Sequence, residues 1–173
     1  MLGIVIHAEK VKEADVKIQI LTPEGLQKFT LTGAQKATAK LKSAAQIFTL
    51  ADYNIQGHKI IGAHVHDQHF NITRDIKRYY LACAICETVS QIYKHSPLVE
   101  RDGAEGDGVF KLTLAAMKSL DDGGNVREIY ADYFTALLRE LGYDVLPDQS
   151  INHAYLQHLD IKIPNTGFFL TCP

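Results

Sequence analysis

The chain has 173 residues, 46% hydrophobic and 22% charged, with 18 basic against 20 acidic side chains. That composition suits a soluble globular chain of one large domain or two small ones. It excludes pervasive disorder, a strong general polyanion binder and, with no run of about 18 apolar residues, a membrane-spanning helix.

The first half reads as strands in chain order. Gly3–His7 is a β-branched apolar run, and no basic region or cleavage site accompanies it, so no signal peptide is expected. Val16, Ile18 and Ile20 alternate with Lys17 and Gln19, a period of two. Thr22-Pro23-Glu24-Gly25 is a turn, because proline presets φ and glycine is permissive. Val16–Leu21 and Leu26–Leu31 therefore form a hairpin, with Phe29 in phase with Leu31 and assigned to the core. Ala34–Ala45 is rich in Ala and Lys and reads as a loop with a short helix. Phe48–Ile55 and Lys59–His66 are two more strands, and the aromatic ring of Tyr53 on the first can face either way. Five strands in about 65 residues with a longer link after the third suit a barrel of the OB type. Periodicity alone leaves an SH3-like barrel open.

The second half changes period. Leu81, Ile85, Val89 and Ile92 recur at helical spacing between Ile76 and Tyr93, and Ser96-Pro97 is a stop. The acidic, glycine-rich stretch Glu100–Gly108 reads as a loop. Val109–Leu120 is a second helix with Phe110, Leu114 and Met117 on one face. Asn125 and Glu128 form a capping pair for a third, whose stripe runs from Val126 to Leu141, and Gly142 is its left-handed stop. The three make a small bundle. Beyond Pro147 the pattern decays; His153, Tyr155 and Leu156 can form a helix, and Phe168-Phe169-Leu170 is apolar enough to dock. The expected fold class is α+β: an OB-type barrel over 1–73, a helical bundle over 74–147 and a remodelled tail over 148–173.

Charge is unevenly placed. Residues 1–75 carry nine basic and seven acidic side chains, and residues 76–173 carry nine and thirteen. Between Glu24 and Asp52 there is no acid, while Lys28, Lys36, Lys40 and Lys42 fall in that window. Such a stretch suits a modest phosphate-binding surface. His64, His66 and His69 form His-x-His-x-x-His; the spacing on a strand can suit a metal, but no fourth ligand is evident and an outward polar face explains it better. Cys83-x-x-Cys86 lies inside an apolar helix, where buried packing is expected rather than redox chemistry. Three cysteines, with Cys172, fit neither a disulfide framework nor a four-thiolate zinc site and point to a reducing, intracellular setting. Tyr79-Tyr80 is expected to pack between the two parts of the chain rather than stack on bases. No phosphate loop or nucleophile elbow is present, and nothing argues for catalysis.

The succession of features resembles one family. Gly3-Ile4-Val5-Ile6, Glu13-Ala14-Asp15 and the strand ending Leu21-Thr22-Pro23-Glu24-Gly25 come first. Gly33-Ala34-Gln35-Lys36, Ala39-Lys40-Leu41 and Gln46-Ile47-Phe48 follow. Then come Arg74-Asp75-Ile76-Lys77-Arg78 and the helix Tyr133-Phe134-Thr135-Ala136-Leu137-Leu138-Arg139-Glu140-Leu141-Gly142-Tyr143. Together, over about residues 2–147, they are similar to the bacterial recombination mediator RecO. Members of that family often have basic residues where this chain has Leu26, Thr32 and Gln35. Members also often carry a four-cysteine zinc module where this chain has Pro147–Asn152 without thiols, so zinc is not expected.

The resemblance implies a non-enzymatic DNA-binding protein of recombinational repair, cytoplasmic and nucleoid-associated, without a cofactor. It implies binding of single- and double-stranded DNA, strand annealing and assistance to recombinase loading, with RecR, RecF and single-strand-binding protein as partners. Lys28, Lys36, Lys40 and Lys42 are the expected phosphate contacts, extended by Arg74, Lys77 and Arg78. The alternatives are a scaffold that binds a partner tail through the bundle, having lost most DNA affinity, and a metal-dependent role through the histidines.

Overall fold

Thr22 and Gly25 close the first hairpin by local chemistry. Thr22 Oγ1 accepts from the Glu24 N–H at 3.2 Å and donates to the Gly25 carbonyl at 2.9 Å, while Gly25 takes φ 115°, where any side chain is strained. The turn joins β2 (Val16–Thr22) to β3 (Gly25–Leu31) in an unbroken antiparallel register from Val16↔Leu31 to Thr22↔Gly25. The computed structural model describes residues 1–11, 14–34, 40–57, 59–95, 103–144 and 150–164. With β1 (Leu2–Lys10), β4 (Leu50–Gln56) and β5 (Lys59–Asp67), the strands form one antiparallel sheet in the order β3-β2-β1-β4-β5. That number and arrangement fit the OB type. Register shifts in β1–β2 and twice in β4–β5 twist the sheet toward closure. The edge strands β3 and β5 approach each other. No ladder joins them among the described residues, so the barrel is loose rather than closed.

Alternation sends β1 both ways. Val5 enters an inner cluster with Ile18, Ile20, Leu31, Ala51 and Tyr53. Ile4 and Ile6 join Leu21 and Phe48 in a second cluster shared with the helices. A strand buried on both faces reads as a continuous apolar run, which is why Gly3–His7 shows no period of two. Gly3 permits the approach of β2, because a Cβ there would collide with the Ile20 side chain. Tyr53 resolves inward, its hydroxyl donating to the Ala44 carbonyl at 2.8 Å, and Leu41, Ala44 and Ala45 of the Lys40–Phe48 turn pack on the same cluster. Phe29 is only partly buried at that cluster's margin.

The helical part comprises a 3₁₀ turn (Ile72–Arg74), α1 (Ile76–His95), α2 (Gly103–Asp121), α3 (Val126–Glu140) and α4 (Ile151–Leu159). The stop expected at Ser96-Pro97 lies outside the described residues. The loop expected to reach Gly108 is corrected: α2 already begins at Gly103. Gly106 and Gly108 are packing residues. A Cβ on Gly106 would stand 2.6 Å from the Pro23 carbonyl oxygen, and one on Gly108 would collide with the Glu140 side chain. The third helix follows its sequence signals. Asn125 Oδ1 accepts from the N–H groups of Arg127 at 2.9 Å and Glu128 at 3.4 Å. Gly142 at φ 81° closes a Schellman motif, through Gly142 N–H to the Arg139 carbonyl and Tyr143 N–H to the Leu138 carbonyl. Ser150 caps α4, on which Tyr155 is fully buried against Phe134 and donates to its carbonyl at 3.0 Å. Phe168-Phe169-Leu170 lies outside the described residues. No helix among the described residues is long and apolar enough to cross a membrane.

Candidate nucleic-acid interface

Five of the seven candidate cations belong to two segments that the fold stitches together. Lys40 and Lys42 are exposed on the turn before β4. That turn is tied to the end of β5, where Gln68 Nε2 donates to the Ser43 carbonyl and to Gln46 Oε1, each at 3.3 Å. Phe48 N–H donates to the Val5 carbonyl, and the Phe48 carbonyl accepts from His69 Nδ1, both at 2.8 Å. Phe48 and His69 are both buried at positive φ, 67° and 45°. Two non-glycine residues in that region each carry a strain of about 1–3 kcal/mol, and it persists because the sheet, the ring packing and their mutual hydrogen bond over-determine them. The Phe48 ring then meets Tyr79 edge-on, with centroids 6.0 Å apart. The lysine turn is thereby held against the start of α1.

Arg74, Lys77 and Arg78 surround that start. Arg74 is exposed, its Nη1 donating to Asn71 Oδ1 at 3.3 Å. Lys77 and Arg78 are half-buried. The Arg78 guanidinium lies against the α2–α3 link, where a Cβ on Gly123 would stand 3.3 Å from Nη2. Cations in the first turn of a helix oppose its macrodipole. Asp75 offsets this by capping: its Oδ1 accepts from the Lys77 N–H at 2.9 Å and the Arg78 N–H at 3.0 Å. Two nearby acids, Asp121 and Asp67, are likewise engaged. Asp121 accepts from the Asn71 N–H at 2.8 Å and from Asn71 Nδ2 at 3.3 Å. The Asp67 carboxyl is held below its ordinary value, first by the His69 N–H and then by the His69 ring, the Gln68 N–H and Lys118, against the opposing pull of partial burial. Lys118, in the last turn of α2, is a further cation at this end that sequence reasoning missed, because a basic residue there is an ordinary dipole complement.

Lys28 is set apart from these five. It pairs across β2 with Gln19, and Gln19 Oε1 accepts from Ser90 Oγ at 3.0 Å. Ser90 is 14 residues along α1 from Ile76, about 21 Å of helix axis. Lys28 lines a separate hollow of about 270 Å³ with His7, Glu9, Lys17, Gln19 and Thr30. Lys17 is the basic residue missed there; its alternation with Val16 and Ile18 marked it as outward-facing but not as a neighbour of Lys28. Lys36 lies outside the described residues.

The other constellations resolve structurally. His64 and His66 are exposed neighbours on β5, with His66 Nε2 donating to Asp52 Oδ2 at 2.7 Å, whereas His69 turns into the core. The three imidazoles therefore do not converge, and no group of three His, Cys, Asp or Glu able to hold a metal occurs among the described residues. Cys86 is buried, and burial pushes its thiol well above the ordinary value; burial also raises Cys83. Neither meets the requirement of an exposed, readily ionised thiolate. Tyr79 packs on Phe48 as expected, yet both it and Tyr80 keep more than a third of their surface exposed.

This arrangement can neutralise phosphates through exposed cations on a surface built of loop and helix. Residues 1–63 match the family described as Recombination protein O N terminal. The chain is 28% identical over 149 residues to the DNA repair protein RecO of Roseiflexus sp. (strain RS-1), an alignment covering 82% of this chain and 49% of that protein. It is 26% identical over 148 residues to the DNA repair protein RecO of Leuconostoc mesenteroides subsp. mesenteroides, covering 81% and 54%. The chain spans about half the length of the curated relatives it matches.

Proposed function

From the premise that the chain is RecO-like, we propose that it is a non-enzymatic, single-strand DNA-binding protein of recombinational DNA repair. The observation that carries this reading is the junction that ties the turn bearing Lys40 and Lys42, through Ser43 and Phe48, to Gln68, His69 and Tyr79 beside Arg74, Lys77 and Arg78. Lys28 and Lys36 complete the proposed contact set. Strand annealing follows from the same chemistry, because screening backbone repulsion between two strands accelerates pairing without a bond-making residue. Duplex DNA is a second ligand on this reading. Assistance to recombinase loading would draw on partners such as RecR, RecF and single-strand-binding protein, in the bacterial cytoplasm at the nucleoid.

The test is fluorescence anisotropy of a labelled single strand across several salt concentrations. Binding that weakens with salt, with a slope reduced by about 0.7 for each phosphate contact removed, supports the reading. Absence of binding at low salt rejects it. The second reading, a scaffold for a partner tail, is favoured by an apolar hollow of about 220 Å³ between α2 and α3, lined by Leu112, Ala116, Ile129 and Tyr133 among others. It gains if the strand fails to bind.

A further inference from the structure

Nine large hydrophobic residues are exposed among those described, and four of them fall within the eleven residues from Phe70 to Tyr80. These are Phe70 at 56% exposure, Ile76 at 62%, Tyr79 at 36% and Tyr80 at 38%. Among the described residues, all three exposed Phe and Tyr side chains are in this group. Single exposed apolar residues need no explanation, but three exposed aromatic ones within eleven positions do.

Helix geometry puts Ile76, Tyr79 and Tyr80 on one face of α1, at spacings of three and four. Their rings are pre-set. Tyr79 is braced edge-on by Phe48, 6.0 Å away, and by Tyr80, 6.3 Å away. Arg74, Lys77 and Arg78 alternate with these residues in the chain. The first-turn N–H groups of Lys77 and Arg78 are already used by Asp75, so an anion here would meet side chains rather than a bare helix terminus.

We propose that Phe70, Tyr79 and Tyr80, with Ile76, form a base-stacking platform that receives a single strand leaving the lysine turn, its phosphates neutralised by Arg74, Lys77 and Arg78. This rests on the single-strand reading above and adds to it how the strand is held and why a single strand is preferred to a duplex. Exposed rings interleaved with cations serve a single strand because every base has a π-face, while bases within a duplex are already stacked. An acidic peptide shares the charge complementarity. Its apolar anchors would be better served by the apolar hollow between α2 and α3 than by rings interleaved with cations.

The experiment compares wild type with Tyr80→Ala, Tyr80→Phe and Phe70→Ala on three labelled ligands: a single strand, an abasic single strand of equal length, and a duplex. Stacking predicts that Tyr80→Ala and Phe70→Ala each weaken single-strand binding about fivefold or more, with the salt slope unchanged and duplex binding little affected. Tyr80→Phe keeps the ring and should bind as wild type does. The wild type should bind the abasic strand more weakly than the normal one, and Tyr80→Ala should reduce that difference. Equal binding of the normal strand by wild type and both alanine variants would overturn the platform while leaving the phosphate surface standing. So would equal binding of normal and abasic strands by wild type, a comparison that needs no variant to fold. Loss of a labelled Asp- and Leu-rich peptide by variants that still bind DNA normally would assign the patch to a protein partner instead. Failure of the wild type to bind any strand at low salt would remove the parent reading itself.

Discussion

The two ends of α1 face opposite demands. At its C-terminal end Val89 and Ile92 are fully buried, Ser90 donates to Gln19 of β2, and Tyr93 lies against Gly25 in the β2–β3 turn. The start of α2 closes on the same turn through Gly106. At its N-terminal end Ile76, Tyr79 and Tyr80 are exposed, and Arg74, Lys77 and Arg78 stand where the helix dipole disfavours cations. One end joins the sheet to the helices. The other leaves Ile76, part of the Tyr79 and Tyr80 rings and the Arg74 cation exposed to water, an arrangement that a ligand would explain.

Two isoleucines on this one helix offer the strongest test of the contrast. Ile92→Ala should cost about 2–5 kcal/mol in chemical denaturation, because it removes a fully buried side chain from the shared core. Ile76→Ala should change stability by less than about 0.5 kcal/mol. Comparable losses at both positions would show that the N-terminal end is packed in solution and would remove the asymmetry. Next in size is Gly106→Ala. Alanine normally favours a helix over glycine by about 1 kcal/mol. Here its Cβ would press on backbone atoms of Pro23 and Gly25, so a net loss of about 1–3 kcal/mol is expected. A gain in stability would mean that the β2–β3 turn does not sit on α2 as described.

The contrast also marks what the sequence could reveal. Alternation in Val16–Ile20, the Thr22–Gly25 turn and the Asn125 and Gly142 caps each act through neighbours in the chain, and each forms as read. Gly106 and Gly108 read as loop because what they accommodate, the Pro23 carbonyl and the Glu140 side chain, is distant in sequence. His69 failed as a metal candidate for the same reason: its partner is the Phe48 carbonyl, 21 residues away. The cations were visible as a window free of acids, but their division into a group of five and a distant Lys28 depends on the Gln68, Phe48 and Ser90 contacts, which no local pattern encodes.

That division sharpens into a prediction about charge. Arg74→Gln with Arg78→Gln should lower the single-strand salt slope by about 1.4 if both contact phosphate. Stability should hold or rise slightly, since two cations leave the positive end of the dipole. Lys28→Gln should matter only for strands long enough to reach β3 from the start of α1. A Lys28 effect that is independent of strand length would place the main binding path on the β2–β3 face and reverse the assignment of the two ends.

The smallest effect belongs to Asp67, which caps the backbone of strained His69 beside the N-terminal end of α1 through a hydrogen bond of 3.0 Å. Because its carboxyl is held below the ordinary value in the folded chain, the unfolded chain takes up the proton first as pH falls. The carboxylate therefore stabilises the fold above its unfolded value of about 4, and that contribution fades as pH drops through the folded value. Asp67→Asn keeps an oxygen able to accept from the His69 N–H and removes only the charge. It should lower stability by no more than about 0.5 kcal/mol at neutral pH, since the site is exposed. The difference in Tm between variant and wild type should shrink on acidification below about pH 4. A difference that stays constant with pH would mean that charge is not what holds this corner, and that the left-handed pair Phe48 and His69 is fixed by ring packing and their mutual hydrogen bond alone.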